Sequence, residues 1–243
     1  MMKDKLLSIY KKEMYFPSLL SLFITPFYFA RRGLYKHVKE LAPQITGRTL
    51  DVGCGLKPYE SLYHSTEYVG LEYDSPENRE LKNADFFYDG THFPFDSSTF
   101  DSVVANEVFE HVFNPNTFLD QIHKILKEDG TLFMTMPFAW DEHEQPLDYA
   151  RYTSFGIKSI LEKHGFEVII QKKSVNDIRV IFQLLNMFIW KKLRTKRSII
   201  NHLIILFLIA PFNIFGELIN LILPKNSDLY LDNIILAKKV KSD

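Results

Sequence analysis

The chain has a single cysteine, Cys54, among its 243 residues. One cysteine excludes an internal disulfide framework and any multi-cysteine metal site, and it fits a reducing, cytoplasmic compartment. No metal is expected at the site. The formal net charge is only −1, which leaves no global field to attract nucleic acid, and we expect no nucleic-acid partner. A secretion signal is not expected either, because Pro17 and Pro26 break the apolar stretch of residues 15–30.

Short apolar strands alternate with helices through most of the sequence. Asn114-Pro115 predicts the N-cap and first turn of one helix, and Asp129-Gly130 predicts its left-handed C-cap. Alternation of this length predicts an α/β fold with a doubly wound, seven-stranded, mostly parallel sheet of the Rossmann-like kind. The predicted strands are 48–52, 67–73, 84–88, 101–105, 131–136, 166–171 and 229–238, and helices are predicted at 31–42 and 153–164.

Glycine or polar residues follow the first three predicted strands. The turn Asp51-Val52-Gly53-Cys54-Gly55 lets the backbone approach a ligand closely, beside the free N–H groups of a helix N-terminus. Glu72 is positioned to accept hydrogen bonds from ribose hydroxyls, although a solvated carboxylate at a strand end explains it equally well. Asp89-Gly90 is positioned to accept from an adenine amino group. These segments together predict a nucleotide site at the carboxyl edge of the sheet.

The stretches around these residues resemble the class I SAM-dependent methyltransferases, where SAM is S-adenosylmethionine, and in particular the type 11 group related to ubiquinone and menaquinone methylases. The resemblance covers about residues 48–171 and is most specific at 50–55, 93–111 and 122–137. It implies that the last strand is antiparallel and that SAM binds at the carboxyl ends of the strands. A dehydrogenase is less favoured, because the turn lacks the full dinucleotide fingerprint.

The resemblance also implies a role for each matching residue. The third glycine common in the family is absent, and Leu56-Lys57-Pro58-Tyr59 follows Gly55 instead, so that Tyr59 either covers the methionine end of SAM or only packs. By position, Asp51, Gly53 and Gly55 would line the methionine end, Glu72 would hold the ribose, Asp89 and Gly90 the adenine, and Asn106 and Glu107 would lie beside the transferable methyl.

Two histidines compete as general base for a hydroxyl acceptor, a role worth ~10²–10⁴-fold in rate. His143 lies in the loop after the fifth strand and is the predicted base, with acceptor positioning and loop anchoring as alternatives. His111 is predicted in the helix after the fourth strand, where a structural role is favoured; Asn106 completes the predicted catalytic set. Groups suited to a polyhydroxylated acceptor follow in the same loop, namely Glu144, Asp148, Arg151 and Tyr152, although a salt bridge to Asp148 explains Arg151 equally well.

Residues 175–225 are strongly apolar and carry five cations between Lys191 and Arg197. Pro211 is expected to interrupt the apolar run, so the segment is a poor candidate for the roughly 20-residue span of a membrane. Basic residues beside an amphipathic helix favour peripheral binding to the inner, anionic face of a membrane; burial on the domain or in a homodimer interface is the alternative. The predicted segments are an aromatic and helical lead-in (1–46), a SAM-binding core (47–174), an apolar helical insertion (175–225), and a final strand and tail (226–243).

The loop after the fifth strand, residues 137–153, which we call the acceptor loop, resembles a subgroup of these methyltransferases associated with bacterial cell-surface glycan synthesis. The leading prediction is therefore O-methylation of a sugar hydroxyl in a surface polysaccharide or its lipid-linked precursor, the acceptor being a small molecule or a lipid-linked glycan. C-methylation of a quinone-like lipid is the second prediction, and a SAM-binding scaffold without catalysis is the third.

Overall fold

The computed structural model describes residues 2–81 and 83–240, with side chains omitted for residues 2–6 and 81. Residues 1, 82 and 241–243, which belong to the predicted lead-in, SAM-binding core and tail, lie outside the described residues. One seven-stranded sheet has the strand order β3-β2-β1-β4-β5-β7-β6, which confirms the predicted fold class. Its strands are β1 (Thr46–Val52), β2 (His64–Tyr73), β3 (Phe86–Tyr88), β4 (Phe100–Asn106), β5 (Leu126–Pro137), β6 (Phe166–Lys173) and β7 (Asp232–Lys239).

Among residues 2–81 and 83–240, three helices precede the first strand, others lie between successive strands, and three lie between β6 and β7. In the part of the chain that the structure describes, short 3₁₀ turns also occur at Ala42–Gln44, Glu60–Leu62 and Phe109–His111. The helices within the described residues are α1 (Met2–Tyr15), α2 (Ser21–Ile24), α3 (Tyr28–Leu41), α4 (Pro76–Leu81), α5 (Pro115–Ile125), α6 (Ser154–Lys163), α7 (Arg179–Leu193), α8 (Ser198–Ile204) and α9 (Ala210–Asn220).

The centre of the sheet is parallel and buried on both faces. β1 pairs in parallel with β2 and β4, β2 with β3, and β4 with β5. Successive residues of β4, Val103, Val104 and Ala105, are all fully buried, as expected for a strand covered by helices on both sides. The strand order reverses between β1 and β4, and ligands of open α/β sheets bind at the carboxyl ends of the strands beside such a reversal.

Two local predictions near the site are wrong. The helix predicted to close at Asp129-Gly130 ends at Ile125, and β5 begins at Leu126. The left-handed residue is Asp129, with φ of 60°, while a Cβ on Gly130 would lie 2.7 Å from the Lys127 carbonyl oxygen. Gly130 therefore serves close packing within β5 rather than a helix cap. His111 is likewise in a 3₁₀ turn and not in a helix.

The chain forms two compact units. One comprises the residues through His37 together with Ala139–Asp141 and Lys173–Asp232, and the other comprises Val38–Phe138, Glu142–Lys172 and the residues from Asn233 onward. We call them the helical unit and the sheet unit. In the helical unit, buried amide side chains join the lead-in to the insertion: Gln183 Nε2 donates to the Pro26 carbonyl oxygen at 2.9 Å, and Asn213 Nδ2 donates to that of Leu22 at 2.9 Å.

The apolar insertion contains a longer helix than the sequence predicts. α8 continues through a π-helical turn at Ile205–Ile209 into α9, so that Ser198–Asn220 is one helix of 23 residues. Pro211 does not interrupt it: the proline follows directly on the π-helical turn, which breaks the regular hydrogen-bond ladder there, and the helix continues past it to Asn220. By length and composition alone this helix is able to cross a membrane, with a mean hydropathy of 2.0 and 28% of its most apolar window buried; a core helix of a soluble protein passes the same test.

Candidate cofactor and acceptor site

The glycine turn after β1 has one glycine that packing requires and one that faces open space. Gly53 and Gly55 have φ of 67° and 51°, in the left-handed region that favours glycine. A Cβ on Gly53 would lie 2.5 Å from Val108 Cγ2, whereas one on Gly55 would meet no atom within 4 Å. The open side of the turn is therefore at Gly55. Tyr59, a few residues later, is buried.

Glu72 is buried and bonded to the glycine turn, so it is not a solvated carboxylate. Its Oε2 accepts from the Gly55 backbone N–H at 3.0 Å, and its Oε1 accepts from the Tyr73 N–H at 3.0 Å. These bonds hold the carboxylate at the carboxyl ends of β1 and β2, where a ribose is predicted to bind.

Asp51 and Asn106 are each hydrogen-bonded to a tyrosine that sequence reasoning missed. Tyr68 donates its hydroxyl to Asp51 Oδ2 at 2.7 Å, and Asn106 Nδ2 donates to the Tyr63 hydroxyl oxygen at 3.0 Å. The two tyrosine rings stack with centroids 5.9 Å apart. Burial raises the pKa of Asp51 to about 7 against the opposing hydrogen bond from Tyr68, and the nearby Glu72 raises it further. The two tyrosines fix the side chains that line the end of β1 and β4.

Asp89 is exposed and forms a turn with the residues that follow it. Its Oδ1 accepts from the Thr91 hydroxyl and N–H, at 2.7 and 2.8 Å, and from the His92 N–H at 3.0 Å. These bonds, first that of the Thr91 hydroxyl, lower the pKa of Asp89 to about 2. Gly90, with φ of 89°, completes the turn beside Tyr73. The adenine role of Asp89 and Gly90 stays a prediction.

Three residues from two separate segments meet beyond the end of β4, and we call them the Glu110 cluster: Glu110, His111 and His143. Glu110 Oε1 lies 3.7 Å from His111 Nε2 and 3.8 Å from His143 Nε2. The imidazole rings meet edge to face with centroids 4.8 Å apart. Glu110 is fully buried, and burial together with the nearby Glu107 carboxylate raises its pKa well above the ordinary value. Sequence reasoning missed Glu110; its place immediately before His111 was the available signal.

An ion pair stands behind His143. Arg151 donates to both carboxylate oxygens of Asp148, at 2.6 and 2.7 Å, and His143 contributes its backbone N–H to Asp148 Oδ2 at 2.9 Å. Although burial raises it, the pKa of Asp148 is lowered to about 2 by the bonds from Arg151 and His143. Arg151 thus forms the salt bridge that was one of its two predicted roles, and its role toward an acceptor stays a prediction.

The remaining predicted site residues differ in how exposed they are and in how closely they approach the Glu110 cluster. Glu144 is largely exposed, and its Oε2 lies 3.9 Å from His111 Nε2. Tyr152 is half-buried against the Phe109 ring, with centroids 5.1 Å apart. Glu107 follows β4 with φ of 54°, its N–H bonded to the Thr135 carbonyl oxygen at 2.9 Å. The structure therefore brings His111 and His143 together and leaves Glu144 on the open side.

Comparisons with known proteins identify one family. The sequence profile of a methyltransferase domain matches residues 27–171. A 37-residue stretch is 54% identical to the mitochondrial ubiquinone biosynthesis O-methyltransferase of Bos taurus, and it covers 15% of this chain and 10% of that protein. An uncharacterized protein of Methanocaldococcus jannaschii is 28% identical over 127 residues, which are 50% of this chain and 55% of that protein. The chain thus matches about a tenth and about half of the length of these two relatives.

A solved structure shares the fold. Phosphoethanolamine N-methyltransferase 2 of Haemonchus contortus, in complex with S-adenosyl-L-methionine, superposes with a TM-score of 0.55 at 17% identity, over 97% of this chain and 57% of that one. At this identity the likeness concerns the fold alone.

Proposed function

This chain belongs to the methyltransferase-domain family, and we propose that it transfers a methyl group from SAM to a hydroxyl oxygen. The observation that carries the choice of oxygen is the Glu110 cluster, which gathers two imidazoles and a carboxylate at the carboxyl edge of the sheet. A hydroxyl must lose its proton as the methyl arrives, and groups of this kind are the ones that remove it. Most of the remaining rate comes from aligning acceptor, methyl and sulfur.

The SAM site is built from the carboxyl ends of β1, β2 and β4. The buried Glu72 receives the ribose hydroxyls, the open side of Gly55 admits the methionine moiety, and Asp51 lies at the methionine end. Asn106 and Glu107 lie beside the transferable methyl, four and three residues before Glu110. The bovine relative, which is named as an O-methyltransferase, supports an oxygen acceptor.

The acceptor we favour is a sugar hydroxyl of a surface polysaccharide or of its lipid-linked precursor. The loop from Glu142 to Tyr152 supports this choice because it presents carboxylates, a guanidinium and aromatic rings, which suit a polyhydroxylated ligand. A quinone-like lipid is the second candidate, and the local identity to a ubiquinone O-methyltransferase favours a ring hydroxyl over the ring carbon in that case.

The helical unit supports a membrane-associated acceptor. Large apolar side chains are exposed along α7 and along the helix Ser198–Asn220, including Phe188 (63% exposed), Ile199 (78%) and Phe207 (67%). Among the described residues, four cations in the last turn of α7 and in the link from α7 to α8 form no salt bridge: Lys192, Arg194, Lys196 and Arg197. Apolar side chains beside free cations suit the anionic inner face of a membrane, which the protein would bind peripherally.

A methylation assay on cell extracts tests the proposal. Purified protein is incubated with isotope-labelled SAM and with separate glycan, lipid-linked saccharide and quinone fractions, and the product bond is identified by mass spectrometry. We expect label in a methyl ether of the saccharide fractions. The Glu72→Gln variant should lose SAM binding in calorimetry, whereas the exposed Glu77→Gln control should keep it. SAM binding without a labelled product in any fraction would favour a scaffold instead.

A His143→Ala variant tests where the proton leaves. We expect it to keep SAM binding and to lose at least tenfold in kcat, because the cluster is incomplete without the imidazole. Wild-type turnover of this variant on the true acceptor would contradict a role for the cluster in the chemistry.

A further inference from the structure

Glu110 is a buried carboxylate whose oxygens form no hydrogen bond among the described residues. Its side chain is fully buried. The two nearest ring nitrogens, 3.7 and 3.8 Å from Oε1, lie beyond hydrogen-bond distance. A buried carboxylate that no hydrogen bond stabilises is strongly unfavourable unless it takes up a proton or a cation.

In both histidines the ring nitrogen nearest Glu110 is Nε2, and the hydrogen bonding of the other nitrogen, Nδ1, indicates that Nε2 carries no proton. His111 Nδ1 lies 2.8 Å from the Leu147 carbonyl oxygen, which accepts only, so this nitrogen carries the proton. His143 Nδ1 lies 3.2 Å from Asp148 Oδ2, another acceptor, and 3.4 Å from Arg151 Nη2, which only donates; the tautomer with the proton on Nδ1 serves the shorter of these two contacts. In the neutral rings each Nε2 then bears a lone pair. Three electron-pair donors, Glu110 Oε1 and both Nε2 atoms, converge on one place.

We propose that Glu110, His111 and His143 bind a divalent metal cation. The ligand atoms already lie within 4.8 Å of one another, and a tetrahedral Zn²⁺ with ligands at ~2.0–2.1 Å holds them roughly 3.3 Å apart, so small rotations of the rings complete the site. Two imidazoles and a carboxylate suit Zn²⁺, Fe²⁺ or Mn²⁺. The sequence analysis expected no metal, because nothing in the sequence shows that His111 and His143, which come from separate segments, meet in the fold.

The groups around the cluster are those that a metal site requires. A ligating histidine usually donates its other N–H to a carbonyl or carboxylate, which fixes the ring; here Leu147 and Asp148 stand in those places. Glu144 lies on the exposed side, with Oε2 3.9 Å from His111 Nε2; in this proposal the remaining coordination position is left to an acceptor oxygen.

The chemical role of the metal rests on the proposed function, since it presupposes that the acceptor is a hydroxyl. An acceptor hydroxyl bound to the cation has a lowered pKa and releases its proton to solvent. The alkoxide oxygen then forms the new O–C bond as the C–S bond breaks, and the electron pair stays on sulfur, giving S-adenosylhomocysteine. His143 acts in this scheme as a ligand, and the cation takes the task that the sequence analysis gave to a free imidazole.

Metal titration of the full chain tests the proposal without any acceptor. Protein stripped with a chelator is titrated with Co²⁺ and Zn²⁺, followed by calorimetry and by the visible absorption of Co²⁺. We expect one ion per chain, at least tenfold weaker binding in His143→Ala and Glu110→Gln, and roughly 10–100-fold weaker binding in Asp148→Asn. His64→Ala, an exposed histidine at the start of β2, should bind as the wild type does.

Two results would overturn the proposal. One is a stripped wild-type chain that binds neither ion stoichiometrically; the other is unchanged binding in His143→Ala, a half-buried position whose folding is checked by SAM binding and thermal unfolding. The outcomes separate the two proposals. Metal binding without methylation of a hydroxyl would support the metal site and contradict the proposed function. Methylation that persists in the presence of a chelator would support the proposed function and contradict a role for the metal.

Discussion

The protonation state of Asp51 is expected to make SAM binding depend on pH. Burial raises the pKa of this carboxyl to about 7, and the residue lies where the ammonium group of the methionine moiety is expected. A protonated Asp51 has no charge to offer that ammonium group, and SAM should therefore bind better above pH 7 than below it.

We predict that SAM affinity falls as the pH is lowered from 7 to 5.5, with a slope that approaches about tenfold per pH unit, because binding then requires release of one proton. Calorimetry across pH 5.5–7.5 measures the slope. The Asp51→Asn variant cannot ionise at this position, and its affinity should be weaker and nearly independent of pH. An equal slope in the variant would assign the effect to another group.

At the same scale, sequence reasoning found the residues of the motif and missed those that support them. Gly53, Glu72 and Asn106 follow predicted strands at recognisable positions, so their place at the sheet edge followed from the alternation of strands and helices. Tyr68 matters because it faces the Asp51 carboxylate, a contact that the register of β1 and β2 determines. Glu110 matters because it faces the His143 ring, which a loop about 30 residues later in the sequence brings back to it. A pattern in one segment carries no record of such contacts.

Among the elements, α6 begins directly after the acceptor loop and depends on its cap. Thr153 has an extended backbone, and its hydroxyl accepts from the Gly156 N–H at 3.1 Å, so that one of the unpaired N–H groups of the first turn is satisfied. The helix start in turn fixes the end of the loop at Tyr152.

We expect Thr153→Ala to lower the free energy of unfolding of the sheet unit by about 1 kcal/mol, since the cap is lost. Thr153→Ser keeps the hydroxyl and should remain close to the wild type. Urea unfolding followed by circular dichroism compares the three proteins. Equal stability of the alanine and serine variants would show that the cap contributes nothing.

Strands were easier to predict than their connections. The predicted strand at 101–105 differs from β4 by one residue at each end, because an apolar run buried on both faces is distinct from its polar flanks. α4 was not predicted, since six residues are too few to show a period. Gly130 misled because a glycine after a helix resembles a cap, whereas here the close approach of the Lys127 backbone requires it.

On the scale of the whole molecule, net charge hides a local asymmetry. The chain carries 29 basic and 30 acidic side chains, yet the segment from Lys191 to Arg197 has five cations and no anion. Lys191 pairs with Asp141 at 2.6 Å, which leaves the four cations named above for a partner. The exposed apolar side chains of α7, α8 and α9 belong to the same helical unit, so that charge and apolar area act together on one partner.

We therefore predict that the protein binds vesicles containing phosphatidylglycerol and does not bind neutral phosphatidylcholine vesicles. Replacing Lys192, Arg194, Lys196 and Arg197 by glutamine removes about 1 kcal/mol per cation near the surface, or roughly 10³-fold in affinity altogether. The matched control replaces four exposed lysines of the sheet unit, Lys124, Lys158, Lys163 and Lys238, and should bind as the wild type does. Flotation at rising salt measures both proteins, and binding should weaken as the Debye length shortens. Equal losses in the two variants would mean that net charge, and not the basic segment beside the apolar helices, governs the association.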